Sequence, residues 1–135
     1  MWYRPPDVLL GNKEYEATID VWSIGCIFAE MCTGKALFAG LNDDNQTKQI
    51  FRILGTPSVK DYPGLLDLPG WDPEKFEQHQ PQDLKQYVPN LDDNGFDLLT
   101  KLLMIQPDKR ITLPEALEHK YFADLPDKVK NLYKK

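Results

Sequence analysis

From Ile19 to Cys32 the chain reads IDVWSIGCIFAEMC, and only Asp20, Ser23 and Glu30 interrupt its apolar run. Apolar side chains then occupy nearly every face of the helix this stretch forms, which predicts a helix buried on all sides. Gly34, directly after Thr33, suits the left-handed residue that ends it. A second helix is predicted from Asp43 or Asp44, whose carboxylates suit an N-terminus, to Leu54. Its apolar side is Ile50, Phe51, Ile53 and Leu54. A third spans about Asn94 to Met104 and buries Phe96, Leu98, Leu99, Leu102 and Leu103. A fourth starts at Thr112, where Thr112-Leu113-Pro114-Glu115 is a capping box with proline in the first turn. No segment reads as a strand, so the predicted class is mainly α.

Between the second and third helices the pattern breaks down. Residues 55 to 92 hold six of the eleven prolines, at 57, 63, 69, 73, 81 and 89, and predict irregular backbone. Tyr62, Leu65, Leu66, Leu68, Trp71, Phe76 and Tyr87 punctuate it, so this segment should pack onto the domain and not hang as a linker.

Composition narrows the picture. At 135 residues and 41% apolar content the chain suits one domain with a real core. Twenty-one acidic against sixteen basic side chains give a formal charge of −5, which argues against a nucleic-acid or anionic-membrane surface. No apolar stretch approaches the length of a membrane span and no charged leader precedes the first helix. Cys26 and Cys32 lie on one helix, which cannot bring them into bonding distance, so they read as reduced thiols in a cytoplasmic or nuclear protein. Residues 124 to 135, with Lys128, Lys130, Lys134 and Lys135, read as a solvated basic tail.

Candidate chemistry is sparse. His79 and His119 lie far apart with no cysteine or carboxylate at ligand spacing, so metal binding is not expected. No serine sits in a nucleophile elbow and no glycine-rich phosphate loop occurs. The residues alone predict a helical domain without a catalytic set.

WYRPPDVLLGNKEYEATIDVWSIGCIFAEMCTGKALFAG resembles the stretch of cyclin-dependent protein kinases that runs from the end of the activation segment through the central helix of the C-terminal lobe. The likeness continues through IFRILGTP, DLLTKLLMIQPDKRIT and ALEHKYF, and covers residues 2 to 122. Pro5-Pro6-Asp7 stands where most relatives have Ala-Pro-Glu and is closest to the RPPD branch. The resemblance implies that residues 1 to 123 are part of the helical C-terminal lobe of a protein-kinase-like fold, with the N-terminal lobe and catalytic loop absent from this chain. Residues 55 to 92 would be the insert on which small regulatory subunits dock.

Site residues follow from the same resemblance. Trp2, Tyr3 and Arg4 match the stretch beside the phosphoacceptor, where the family prefers a proline. Pro6 and Asp7 end the activation segment, and Asp7 would pair with Arg110. Asp20 would accept hydrogen bonds from the catalytic-loop backbone, or it complements the positive end of its own helix. Trp22 and Gly25 match core packing positions. The family's ATP and Mg2+ ligands match nothing in these residues, so this chain is expected to hold neither, while a full-length kinase would use both. A cyclin-type or small regulatory subunit and protein substrates are the implied partners, without nucleic acid or membrane. Two function classes stay open: a piece of a proline-directed serine/threonine kinase, and a non-catalytic module that binds regulatory subunits or substrates. Without a preceding helix and the catalytic loop, four or five of Ile19, Val21, Ile24, Ile27, Phe28 and Met31 should lose their cover, leaving the isolated chain aggregation-prone or molten.

Overall fold

The computed structural model describes residues 1–14 and 16–123. The basic tail read from the sequence at 124 to 135 lies outside the described residues. Among them are five α-helices: α1 (Pro6–Leu9), α2 (Ala17–Thr33), α3 (Asp43–Leu54), α4 (Asp93–Leu102) and α5 (Leu113–Leu117), joined by loops and short 3-10 turns, with no strand. The mainly α class holds.

Each helix end has a local cause. Gly34 takes the left-handed conformation at φ 78°, and its N–H bonds the Glu30 carbonyl to close α2. At α3 the cap is Asn42, whose side chain accepts from the Asn45 N–H at 2.8 Å, while Asp43 and Asp44 sit inside the first turn. Asp92 caps α4 in the same way, from the Gly95 N–H at 2.7 Å. That helix stops at Leu102, short of the expected Met104. The Thr112–Glu115 capping box forms as the sequence indicates. The four-residue α1 is too short to leave a periodic pattern, and its start at Pro6 fits the tolerance for proline at the first helical position.

α2 crosses α4 at the centre of the domain. The crossing is close because Gly25 has no side chain: a Cβ there would lie 2.7 Å from Leu103 Cδ2 and 3.0 Å from Leu102 Cβ. Trp22, Cys26 and Ala29 of α2 join Phe38, Ile50, Phe51, Leu65 and Leu99 in the main core. A smaller cluster of Val21, Leu98, Leu102 and Ala116 ties α5 to α2 and α4.

The expectation that α2 is buried on all sides needs correcting. Ile24, Ile27 and Met31 are 41%, 47% and 80% exposed, because no described segment lies over that face. Val21 keeps its cover against the α5 cluster, while Ile19 and Phe28 are half-buried, with Phe28 held against the Tyr121 ring at 5.3 Å. Fewer side chains lose their cover than the sequence suggested.

The proline-rich insert packs on the domain as expected. Trp71 stacks on Phe76 at 5.8 Å, and Phe76 meets Phe51 of α3 edge-on at 5.3 Å. Leu65 is fully buried in the 3-10 turn Pro63–Asp67, but its neighbour Leu66 points outward and is 70% exposed, contrary to the sequence reading. Adjacent residues on so tight a turn cannot both face the core.

Candidate functional site

The segment before α1 is held from three directions. The Trp2 indole N–H donates to the Gly40 carbonyl at 2.8 Å. The Tyr3 hydroxyl donates to Glu30 Oε1 at 2.6 Å, and the Ser23 hydroxyl donates to the Tyr3 carbonyl at 2.7 Å, so α2 grips Tyr3 at both ends. The bond to Glu30 holds the Tyr3 phenol above the usual tyrosine range. Arg4 and part of the Trp2 ring remain exposed on a backbone that cannot easily shift.

Pro6 and Asp7 are buried directly behind this segment. Arg110 reaches Asp7 Oδ1 at 3.4 Å, with both side chains out of contact with solvent. That is long for a charge-assisted bond, typically about 2.7–2.9 Å. Asp7 is completed by the Asn12 amide, which donates to Oδ2 at 3.0 Å. Arg110 is completed by three carbonyls: Met104 at 2.8 Å from Nε, Thr18 at 2.8 Å from Nη1 and Ile105 at 3.0 Å from Nη2. Its guanidinium therefore joins the start of α2 to the chain just after α4, and it lies 5.2 Å from the centre of the Trp22 ring. Burial lowers the Arg110 pKa and the Asp7 charge opposes the shift. Beside them, burial first and Asp7 second push the Tyr62 phenol up to about 12.

The remaining candidates are placed separately. Trp22 is fully buried and stacked on Phe38 at 5.8 Å, and Gly25 serves the α2–α4 crossing. Asp20 is exposed in the first turn of α2, where it complements the positive end of that helix. Burial pushes the Cys26 thiol up to about 12, so it stays protonated and unreactive at neutral pH. His119 Nε2 lies 2.7 Å from Asp97 Oδ2 on α4, and its Nδ1 accepts from the Tyr121 N–H. Among the described residues no three His, Cys, Asp or Glu side chains converge on a metal site.

Sequence reasoning missed Asn12, Ser23, Glu30 and Gln46. Ser23 and Glu30 did carry a signal as polar interruptions of the apolar run of α2, and so did Gln46: with Ile50 and Ile53 it forms the i, i+4, i+7 stripe of α3 that is buried, so a polar residue stood on a core position.

A sequence model of the protein kinase domain matches residues 1–122. The chain belongs to the protein kinase family. Within it, cyclin-dependent kinase B2-2 of Arabidopsis thaliana is 49% identical over 128 residues, which are 95% of this chain and 40% of that protein. The chain spans 40% of the length of this curated relative. Among the described residues no helix is long and apolar enough to cross a membrane.

Proposed function

We propose that these residues supply the substrate-side surface of a cyclin-dependent-type kinase that transfers phosphate from ATP to serine or threonine followed by proline. One observation carries this reading: Trp2, Tyr3 and Arg4 are held rigidly by Gly40, Glu30 and Ser23, yet Arg4 and the Trp2 ring face solvent. A fixed, exposed strip suits the binding of an extended peptide, because holding a reactant in register is most of what a phosphotransferase surface contributes. Asp7 and Arg110 anchor that strip to α2 and α4. ATP and Mg2+ belong to the full-length protein, since the glycine-rich loop, strand lysine and metal-binding aspartate that hold them in a kinase have no counterpart in this sequence. When bound elsewhere, they supply the phosphoryl group and the charge that activates it. This chain contributes orientation of the acceptor. A cyclin-type or small regulatory subunit docks on the full-length kinase, the insert at 55 to 92 being the proposed surface for the small subunit, and the kinase works in the cytoplasm or nucleus.

The test is phosphorylation of paired peptides by the full-length protein isolated from its source with its bound subunits. A Ser-Pro peptide should be preferred to its Ser-Ala twin by roughly tenfold or more. Equal use of both would contradict proline direction. No transfer, with regulatory subunits still retained, would favour the non-catalytic module.

A further inference from the structure

Gln46 is a polar side chain at a fully buried position of α3, where each unpaired group would be costly. All of its capacity is directed at the segment and loop around Trp2. Its Oε1 accepts from the Gly40 N–H at 2.6 Å, and its Nε2 donates to the Phe38 carbonyl at 3.1 Å and the Trp2 carbonyl at 3.2 Å. Trp2 closes the ring from the other side through its indole bond to the Gly40 carbonyl at 2.8 Å. Both backbone groups of Gly40 are thus used, and a Cβ there would fall 2.5 Å from the Gln46 backbone N and Cα. Only an amide of this length offers the acceptor and the two donors together: ionised glutamate lacks the donors, and methionine has no donor and only a weak thioether acceptor.

We propose that Gln46 is a positioning residue for the protein substrate: through Gly40 and the Trp2 carbonyl it sets the height and orientation of residues 2 to 4. This rests on the reading above that Trp2, Tyr3 and Arg4 line the substrate path. Gln46 itself does not touch substrate. Its loss lets the Trp2 backbone drop or rotate, so the peptide binds less well while a correctly bound peptide reacts at the same rate. Adjacent Thr47 provides the comparison, being equally buried but with its hydroxyl donating within its own helix to the Asp43 carbonyl at 3.0 Å.

The experiment compares Gln46→Met, Trp2→Phe and Thr47→Val in the full-length protein with its regulatory subunit, measuring KM for a Ser-Pro peptide, KM for ATP, and kcat. Gln46→Met should raise the peptide KM by about fivefold to tenfold and leave the ATP KM and kcat within about twofold. Trp2→Phe, which keeps a ring but loses the bond to Gly40, should shift the peptide KM in the same direction by less. Thr47→Val should move neither KM, even where it lowers the melting temperature. A fall in kcat with an unmoved peptide KM, or an equal KM shift in Thr47→Val, overturns the proposal. Where Gln46→Met does not fold, Trp2→Phe decides alone, and an unchanged peptide KM overturns it. A parent protein inactive on every peptide overturns the kinase reading and this proposal with it, whereas an active parent with unmoved peptide KM overturns this proposal only.

Discussion

Arg110 shows how much one side chain can hold together. Its four hydrogen bonds run to Asp7, Thr18, Met104 and Ile105, so it joins α1, α2 and the segment after α4 at a point sealed from water. A lysine carries the same charge but cannot present planar, diverging donors to several carbonyls at once. Arg110→Lys is therefore expected to cost nearly as much as outright removal of one partner of a buried pair, about 3–5 kcal/mol, read as a lower urea midpoint against the parent in otherwise identical chains. A loss below about 1 kcal/mol would mean that the carbonyl contacts contribute little. Asp7 and Arg110 are 103 positions apart, so only the family resemblance could bring them together on paper. The partners that complete them were not legible: Thr18 acts through a backbone carbonyl, which leaves no mark in a sequence, and the Asn12 amide reaches Asp7 through a loop whose course the residues do not announce.

At the scale of elements, the helices were legible and their contacts were not. Thr112 to Glu115 and Gly34 announce α5 and the end of α2 through side-chain chemistry that acts within a few residues. The 3-10 turn Lys120–Phe122 is tied to α4 by His119 and Asp97, which are 22 residues apart and show no spacing rule. Bonds first from Lys101 and then from His119 hold the Asp97 carboxyl below its usual value of 3.8. A carboxyl lowered by folding stabilises the folded state above its unfolded pKa, and that contribution is lost as pH falls through the lower folded value. Asp97→Asn should therefore melt below the parent at pH 5 to 6, and the gap should close as the pH drops well under 3.8, as followed by circular dichroism. A gap that persists unchanged into strong acid would show that the charge is not responsible.

For the molecule as a whole, the uncovered face of α2 dominates. Ile24, Ile27 and Met31 form one exposed apolar strip that continues into a groove of about 360 Å³ lined by Leu98, Leu113 and Phe122. The all-apolar pattern of α2 announced that something covers each side, while composition could not say which sides this chain covers itself. Contiguous exposed apolar surface of this kind drives association, and reburying each such side chain is worth about 1.5–3 kcal/mol. Residues 1–135 made alone should self-associate on size exclusion with light scattering, and Ile24→Gln, Ile27→Lys and Met31→Glu combined should shift them to monomer. A parent chain that is monomeric with a sharp thermal transition would contradict this.

The central claim is that this surface works as part of a longer kinase chain, and the intact mass of the endogenous protein tests it most directly. The protein would be captured from its source with an antibody to residues 93 to 135. A species much heavier than 15.6 kDa that phosphorylates a Ser-Pro peptide is the expected result. A sole species at 15.6 kDa that transfers no phosphate would contradict the account and make binding the whole of its function.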